Sequence, residues 1–189
     1  MKVVGITGKA GSGKDTLADI FQKVYHFERY SLAAPLKRGL CAMLDLDPGV
    51  FERRDLKEKP IPWIGKSPRY LAQTIGTEWG RQLVNDQLWL LCADQFIQKA
   101  RAAGVPGVVI PDVRFSNEAW WVRDANPFFY GRLLHVRRGL GYTLDNAAHE
   151  SEKGVAYLPA SGDYIIHNDG GIDDLHGRAA SAMRSWGWL

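Results

Sequence analysis

The sequence predicts an α/β fold built on an open parallel sheet flanked by helices, and three observations carry that expectation. The chain opens on a short apolar run, Lys2 to Thr7, which breaks into a loop of small residues and then into a helical pattern. Three further short apolar runs follow, at Val105 to Pro111, Leu133 to Val136 and Tyr164 to Ile166, separated by stretches of helical spacing. The 189 residues are 46% hydrophobic and 24% charged, which suits one globular domain and excludes a disordered or fibrous chain.

Each element has its own local reason. Val3, Val4, Ile6 and Thr7 are β-branched and favour an extended backbone, and Gly8 ends the strand. From Asp15 to Tyr25, apolar Leu17, Ala18, Phe21 and Val24 recur at helical spacing. Leu36, Leu40, Met43 and Leu44 line one face of a helix over 34–44. Between Asp47 and Pro68, four prolines and the charged run Glu52-Arg53-Arg54-Asp55 predict an irregular, exposed excursion. Ser67-Pro68 then starts a helix, with serine as N-cap and proline in the first turn, running through Leu71 and Ile75. Another helix is expected after Asp86 and stops at Gly104. The segment Ser116 to Asp124 reads as a helix stopped by Asn126-Pro127. Residues 139–162 lack periodicity and read as a mobile segment, and a terminal helix spans Ile172 to Trp186.

Composition narrows the function classes. With 24 Lys+Arg against 21 Asp+Glu, a net charge of +3 gives no bulk argument for polymeric nucleic acid as a partner. Cys41 and Cys92 are too few for a disulfide framework and have no zinc-ligand spacing. No apolar run approaches the roughly 20 residues of a membrane span, and the N-terminus lacks a signal peptide's apolar region, so a cytoplasmic location is expected.

The chemistry concentrates in Gly8-Lys9-Ala10-Gly11-Ser12-Gly13-Lys14-Asp15-Thr16, which fits G-x-x-x-x-G-K between a strand and a helix. Backbone N–H groups of such a loop and the following helix N-terminus attract phosphate, and the lysine brings a mobile charge. The general pattern has Ser or Thr where this chain has Asp15. That carboxylate could hold Mg²⁺ directly or through water, or simply cap the turn.

Four more clusters have alternative uses. Arg69 and Gln73 share a helix face and suit a phosphate and a base edge, although a solvated face has the same pattern. Asp112 and Arg114 follow a strand at the edge where parallel α/β sheets bind ligands, and Asp112 alternatively caps a turn. Arg132, Arg137 and Arg138 precede the aperiodic segment with His149-Glu150-Ser151-Glu152, where arginines either neutralise phosphoryl charge or are merely solvated. His149 has no second ligand at metal spacing, which favours a structural role. Asn168-Asp169-Gly170 forms either a turn around a purine or a turn into the last helix. Trp63, Tyr70, Trp79 and Trp89 are candidates for base stacking or for core packing.

Together these motifs resemble the deoxynucleoside monophosphate kinases of bacteriophages and prophages over nearly the whole chain. The resemblance runs through Gly8–Thr16, Ala34-Pro35-Leu36-Lys37, Arg69-x-x-x-Gln73-x-x-Gly76-Thr77-Glu78, Asp112-Val113-Arg114-Phe115-x-Asn117-Glu118, His149-Glu150-Ser151-Glu152 and Asn168-Asp169-Gly170. In that family the aspartate after the loop lysine is usual. The resemblance implies a three-layer P-loop fold of the nucleoside monophosphate kinase type as one domain over 1–189. It also implies a substrate-binding insertion over 47–85 and a lid over 137–162.

The implied reaction is transfer of a phosphoryl group from ATP to a deoxynucleoside monophosphate with Mg²⁺, for nucleotide supply to DNA synthesis. The resemblance puts Gly11, Ser12, Gly13, Lys14, Asp15 and Thr16 around the ATP phosphates, with Asp15 toward Mg²⁺. It puts Lys14, Asp112, Arg114 and Arg138 at the reaction centre, and Arg137, Asn168, Asp169 and Gly170 on ATP. Lys37, Arg69, Gln73, Thr77 and Arg81 fall to the monophosphate, and a homodimer is expected. Dephospho-coenzyme A kinase shares the opening loop and a late Asn-x-Gly turn, and animal-type phosphomevalonate kinase shares Gly-Lys-Asp and Asp-x-Arg. Neither accounts for the Arg69 to Glu78 motif as well. A non-catalytic ATP-binding regulator fits the loop but has no use for a second arginine-rich half-site.

Overall fold

A computed structural model of the chain describes residues 1–124, 128–139 and 154–189. Five parallel strands form its sheet: β1 (Lys2–Thr7), β2 (Glu28–Arg29), β3 (Gly107–Ile110), β4 (Tyr130–Arg137) and β5 (Tyr164–His167). Their order is β2-β3-β1-β4-β5. The chain passes from β1 to the edge strand β2, returns to place β3 between them, and then crosses to β4 and β5 on the other side, so β1 sits where the order reverses. In open α/β sheets the crevice at the carboxyl end of that position binds ligands.

The helices are α1 (Lys14–Tyr25), α2 (Ala34–Leu44), the one-turn helices α3 (Gly49–Glu52) and α4 (Arg54–Lys57), and α5 (Pro68–Gln73). They are followed by α6 (Leu88–Ala102), α7 (Ser116–Arg123) and α8 (Ile172–Ser185). The chain separates into two compact units, one of residues 1–31 with 95–189 and one of residues 32–94. Among the described residues no helix is long and apolar enough to cross a membrane.

In the first unit, β1 and β3 are apolar along their length because both faces of the sheet are covered. Val4 and Ile6 of β1 join Leu17, Ala18 and Phe21 of α1 and Leu175, Ala179 and Met183 of α8 in one buried cluster. The other face of β1 meets α7: a Cβ on Gly5 would lie 3.1 Å from Val122 and 2.9 Å from Leu133. Alternate residues of one strand thus serve two helical layers.

The second unit is helical. Leu36, Leu40, Phe51 and Trp89 form its core. The stretch expected to be an exposed excursion contains α3 and α4, and buried Phe51 anchors it. The helix begun at Ser67-Pro68, whose serine Oγ accepts from the Tyr70 N–H at 3.2 Å, runs through Leu71 and Ile75 and continues beyond them. It changes to π-helical winding over Thr74–Val84. The cause is visible at Trp89, whose indole N–H donates to the Gly76 carbonyl at 2.8 Å. Its ring lies where a Cβ on Gly80 would come within 2.6 Å. Trp89 is therefore core, while Trp63, Tyr70 and Trp79 are about half exposed or more.

Other boundaries also differ from the sequence expectation. β2 is absent from the sequence reading because two residues carry no periodicity. β4 begins at Tyr130 rather than Leu133, extended by its pairing with β1 from Lys2 onward. The expected Asn126-Pro127 stop lies outside the described residues, and α7 ends at Arg123. So does most of the aperiodic segment, but its described end, 154–162, includes a 3₁₀ turn at Pro159–Ser161.

That end is pinned by a buried ionic cluster. Asp163 accepts from Arg123 of α7 at 2.9 and 2.6 Å, from the Leu158 N–H at 2.8 Å, and pairs with His135 Nε2 of β4 at 2.9 Å. Arg123 also donates to the Ala156 carbonyl at 2.6 Å. Burial alone would raise the Asp163 pKa, but the hydrogen bonds from His135, Arg123 and Leu158 outweigh it and hold the pKa at about 2. Its stabilising effect is complete above the ordinary value of 3.8 and is lost as the pH falls through about 2. Asp163→Asn should cost roughly 3 kcal/mol, because it leaves a buried guanidinium without its counter-charge. Urea denaturation at pH 7 checks the loss, and the difference from wild type should shrink toward pH 2.

Candidate active site

The register of the sheet assembles the site. Thr7 pairs with His135, and Arg137 pairs with His167, so the residues that follow β1, β4 and β5 emerge along one edge. Gly8 leaves β1 at φ 152°. A Cβ there would meet the Val136 carbonyl at 2.4 Å, so the loop can begin its turn against β4 only with glycine. Gly13, at φ 101°, is the N-cap of α1. The loop then closes through Ser12 N–H to Lys9 O at 3.2 Å and Leu17 N–H to Gly13 O at 3.0 Å. The Ser12 hydroxyl is buried within the loop and has no hydrogen-bond partner among the described residues. Such an orphaned group is uncommon in a folded chain.

Lys14 is folded back on the loop, donating to the carbonyls of Gly8 and Lys9 at 2.7 Å each. Burial and the nearby Arg114 charge hold its pKa below the ordinary 10.5, while Asp15 and Asp112 pull the other way. Asp112 sits past β3, and its carboxylate accepts from the Ser31 hydroxyl at 2.6 Å. Arg114 is exposed, and its backbone N–H donates to buried Glu118 at 2.6 Å. Glu118 also accepts from the Phe115 N–H at 3.0 Å, which fixes the turn between Asp112 and α7. Asp15, Asp112 and Arg114 thus all act electrostatically on Lys14.

Their elements and hydrogen bonds place the remaining first-unit residues. Asp15 is exposed and ion-paired to Arg29 at the end of β2, which also holds Asp19 at 2.9 Å. Thr16 and Gly11 are exposed. Arg137 ends β4 and is half-buried, while Arg138 follows and is exposed. Arg132 lies against Gly162, farther back on the strand. Asn168 and Asp169 tie the strand ends together, and Gly170 precedes α8 against Asp174. His149 and Glu150 to Glu152 lie outside the described residues.

Lys37, Arg69, Gln73, Thr77 and Arg81 all belong to the second unit. Gln73 ends α5, Thr77 is on the π-helical turns, and both are half-buried. Arg69 is ion-paired to Glu58 at 2.5 Å and Lys37 to Glu52 at 3.1 Å. Arg81 donates to the Asp86 carbonyl at 3.5 Å.

Sequence reasoning did not single out Arg29 or Ser31. Both follow from β2, whose shortness hid it, and Ser31 looks unremarkable until the strand brings it to Asp112. Glu118 stood in the quoted motif with no role, and its signal was the spacing of an acidic residue three positions into a helix.

The profile of the deoxynucleotide monophosphate kinase family matches residues 62–179 of this chain. The chain belongs to that family. As a member it is a kinase with a small-molecule nucleotide as substrate. Two curated relatives are similar along most of their length. One, from Acanthamoeba polyphaga mimivirus, is provisionally named a deoxynucleotide monophosphate kinase. It is 28% identical over 200 residues, covering 97% of this chain and 96% of its own. The other, deoxynucleoside-5′-monophosphate kinase of Escherichia phage T5, is 29% identical over 228 residues and covers 87% of each chain. Among solved structures, a sugar kinase of Janibacter has a TM-score of 0.53 at 16% identity, covering 97% of this chain and 94% of its own. Dephospho-CoA kinase of Campylobacter jejuni has a TM-score of 0.52 at 13% identity, with both chains fully covered. These structures share the P-loop kinase fold with this family member, and at such identities they bear on the fold alone.

Because burial and Arg114 depress the Lys14 pKa, binding of inorganic tripolyphosphate should weaken on the alkaline side below pH 10.5. In Arg114→Ala that alkaline limb should move to higher pH, since a cation that favours the neutral amine has been removed. Calorimetric titration across pH reads both limbs.

Proposed function

We propose that this kinase transfers the γ-phosphoryl group of ATP to the 5′-phosphate of a deoxynucleoside monophosphate, giving ADP and the deoxynucleoside diphosphate. The observation that carries the reading is a phosphate loop at the reversal point of the sheet in a chain whose residues 62–179 match this family. An acceptor phosphate oxygen attacks the γ-phosphorus, the β–γ bridging P–O bond breaks, and ADP leaves with that electron pair. The acceptor is already anionic, so no protein nucleophile is required and catalysis rests on positioning and charge.

The residues divide that work. Gly11, Ser12, Gly13 and Thr16 present donors to the ATP phosphates, chiefly the backbone N–H groups of the loop. Lys14 exchanges the Gly8 and Lys9 carbonyls for the transferring group. Arg114, Arg137 and Arg138 neutralise the charge that accumulates on the equatorial oxygens. Asp112, steadied by Ser31, opposes the cations and keeps Lys14 charged. Arg137 with Asn168, Asp169 and Gly170 completes the ATP side.

Mg²⁺ would be held by Asp15, directly or through water, and would supply neutralisation of the phosphate oxygens when bound. No group of three His, Cys, Asp or Glu able to hold a metal occurs among the described residues. This donor set fits an ion that takes its other oxygens from phosphate and water. On the acceptor side Arg69 and Lys37 bind the monophosphate, exchanging Glu58 and Glu52 for it, and Gln73, Thr77 and Arg81 line its pocket. The insertion over 47–85 is the substrate-binding region and the protein works as a cytoplasmic homodimer, while most of the lid expected over 137–162 lies outside the described residues.

The direct test is ADP release with ATP and Mg²⁺, offering each dNMP, each NMP, dephospho-coenzyme A and phosphomevalonate. Turnover of at least one dNMP is expected, and turnover confined to another acceptor would overturn the reading. Lys14→Ala should lower kcat by at least about 100-fold while the circular dichroism spectrum stays that of the folded chain. Arg69→Ala should raise the KM for the monophosphate by about tenfold or more and leave the KM for ATP within about twofold, since a charge-assisted contact is lost on one substrate only. Steady-state kinetics with each substrate varied separately distinguishes the two.

A further inference from the structure

The turn after β5 has two plausible uses, and its hydrogen bonds favour one of them. Asn168 reaches back across the whole chain: its Nδ2 donates to the Ser12 carbonyl at 2.8 Å. The same amide fills the space beside Gly13, where a Cβ would lie 2.2 Å from Nδ2 and 3.3 Å from Cγ. Its backbone N–H donates to the Arg137 carbonyl at 2.7 Å. One residue on, Asp169 Oδ1 accepts from the Gly139 N–H at 2.7 Å.

One dipeptide therefore holds the phosphate loop by two of its residues and the arginine-bearing end of β4 by two more. Ser12 is held on both sides: its N–H by Lys9 and its carbonyl by Asn168. The two peptide planes that flank Ser12 are thus each fixed by one hydrogen bond, the second of them setting the direction of the Gly13 N–H, and that pre-organisation is what an anion site built from backbone donors needs.

We propose that Asn168 is a positioning residue of the phosphate loop, acting on the triphosphate through Ser12 and Gly13 rather than on the base, and that Asp169 extends the brace to Arg137 and Arg138. This rests on the reading of the loop as the ATP site. It assigns the Asn168 amide a role distinct from base recognition, because one amide hydrogen is committed to Ser12 and the amide nitrogen is packed against Gly13. Asn is suited to the position: it offers a neutral donor to a carbonyl, and a cation at this place would compete with Lys14 for phosphate.

The test separates the loop from the base. Binding of ATP and of inorganic tripolyphosphate is measured by calorimetry for wild type, Asn168→Ala and the near-isosteric Asn168→Asp, alongside kcat and both KM values. Asn168→Ala should weaken ATP and tripolyphosphate by the same factor, about tenfold, as expected for a lost hydrogen bond that leaves a carbonyl unsatisfied. Asn168→Asp keeps the shape and packing but turns an acceptor toward the Ser12 carbonyl, so it should be at least as weak on both ligands. The KM for ATP should rise while that for the monophosphate holds.

Loss of ATP affinity with tripolyphosphate affinity intact would overturn the brace in favour of a base contact. Wild-type affinity for both ligands in either variant would overturn it outright. Wild-type protein that binds both ligands yet phosphorylates no dNMP would sink the proposed reaction while the variants still decide the brace. Wild-type protein that binds neither would overturn both.

Discussion

The fold depends on how closely a turn of backbone can approach the ends of its neighbouring strands. Gly8 turns against the Val136 carbonyl, and Gly13 turns against the Asn168 amide, at separations that leave no room for a side chain. Parallel pairing of β1 with β4 and β4 with β5 sets those separations, because the register brings all three strand ends to one edge. Everything chemical in the first unit is arranged around that contact. The helix that follows the loop starts at Lys14, so its positive end and the loop's donors face the same place.

Charge in this region is balanced before any ligand arrives. Lys14 is bonded to loop carbonyls, Arg29 bridges Asp15 and Asp19, and Ser31 steadies Asp112. In the second unit Glu58 and Glu52 neutralise Arg69 and Lys37. In the four ion pairs the carboxylate is exposed and the cation partly so, and each such pair contributes little to stability. The contrast is Asp163, whose partners Arg123 and His135 are buried with it. That cluster fixes the described segment 154–163 onto α7 and β4 and has no exposed charge to offer a substrate. Position relative to water decides which ion pairs are available for binding and which hold the chain together.

Much of the fold was legible because local signals and burial agreed. β-branched residues at Val3, Val4 and Ile6, helical spacing from Leu17 to Phe21, and the Ser67-Pro68 start all lie where the structure puts them. Where they disagree, a distant residue intervenes. The helix after Pro68 continues with π-winding because Trp89 occupies the space beside Gly80 and bonds Gly76. β2 exists because Glu28 and Arg29 find β3, not because of any pattern of their own.

By itself the sequence determined the class of the fold and the phosphate loop, since both rest on contiguous residues whose backbone preferences are local. The family motifs, from Arg69 to Glu78 and Asp112 to Glu118, were likewise readable as spacings. Only the tertiary structure decided what the loop leans on. Asn168 lies 156 residues from Ser12, and Ser31 lies 81 from Asp112, so neither pairing leaves a periodic trace. The physical reason is that a hydrogen bond across the sheet edge depends on strand order and register, and those are set by the burial of the whole core.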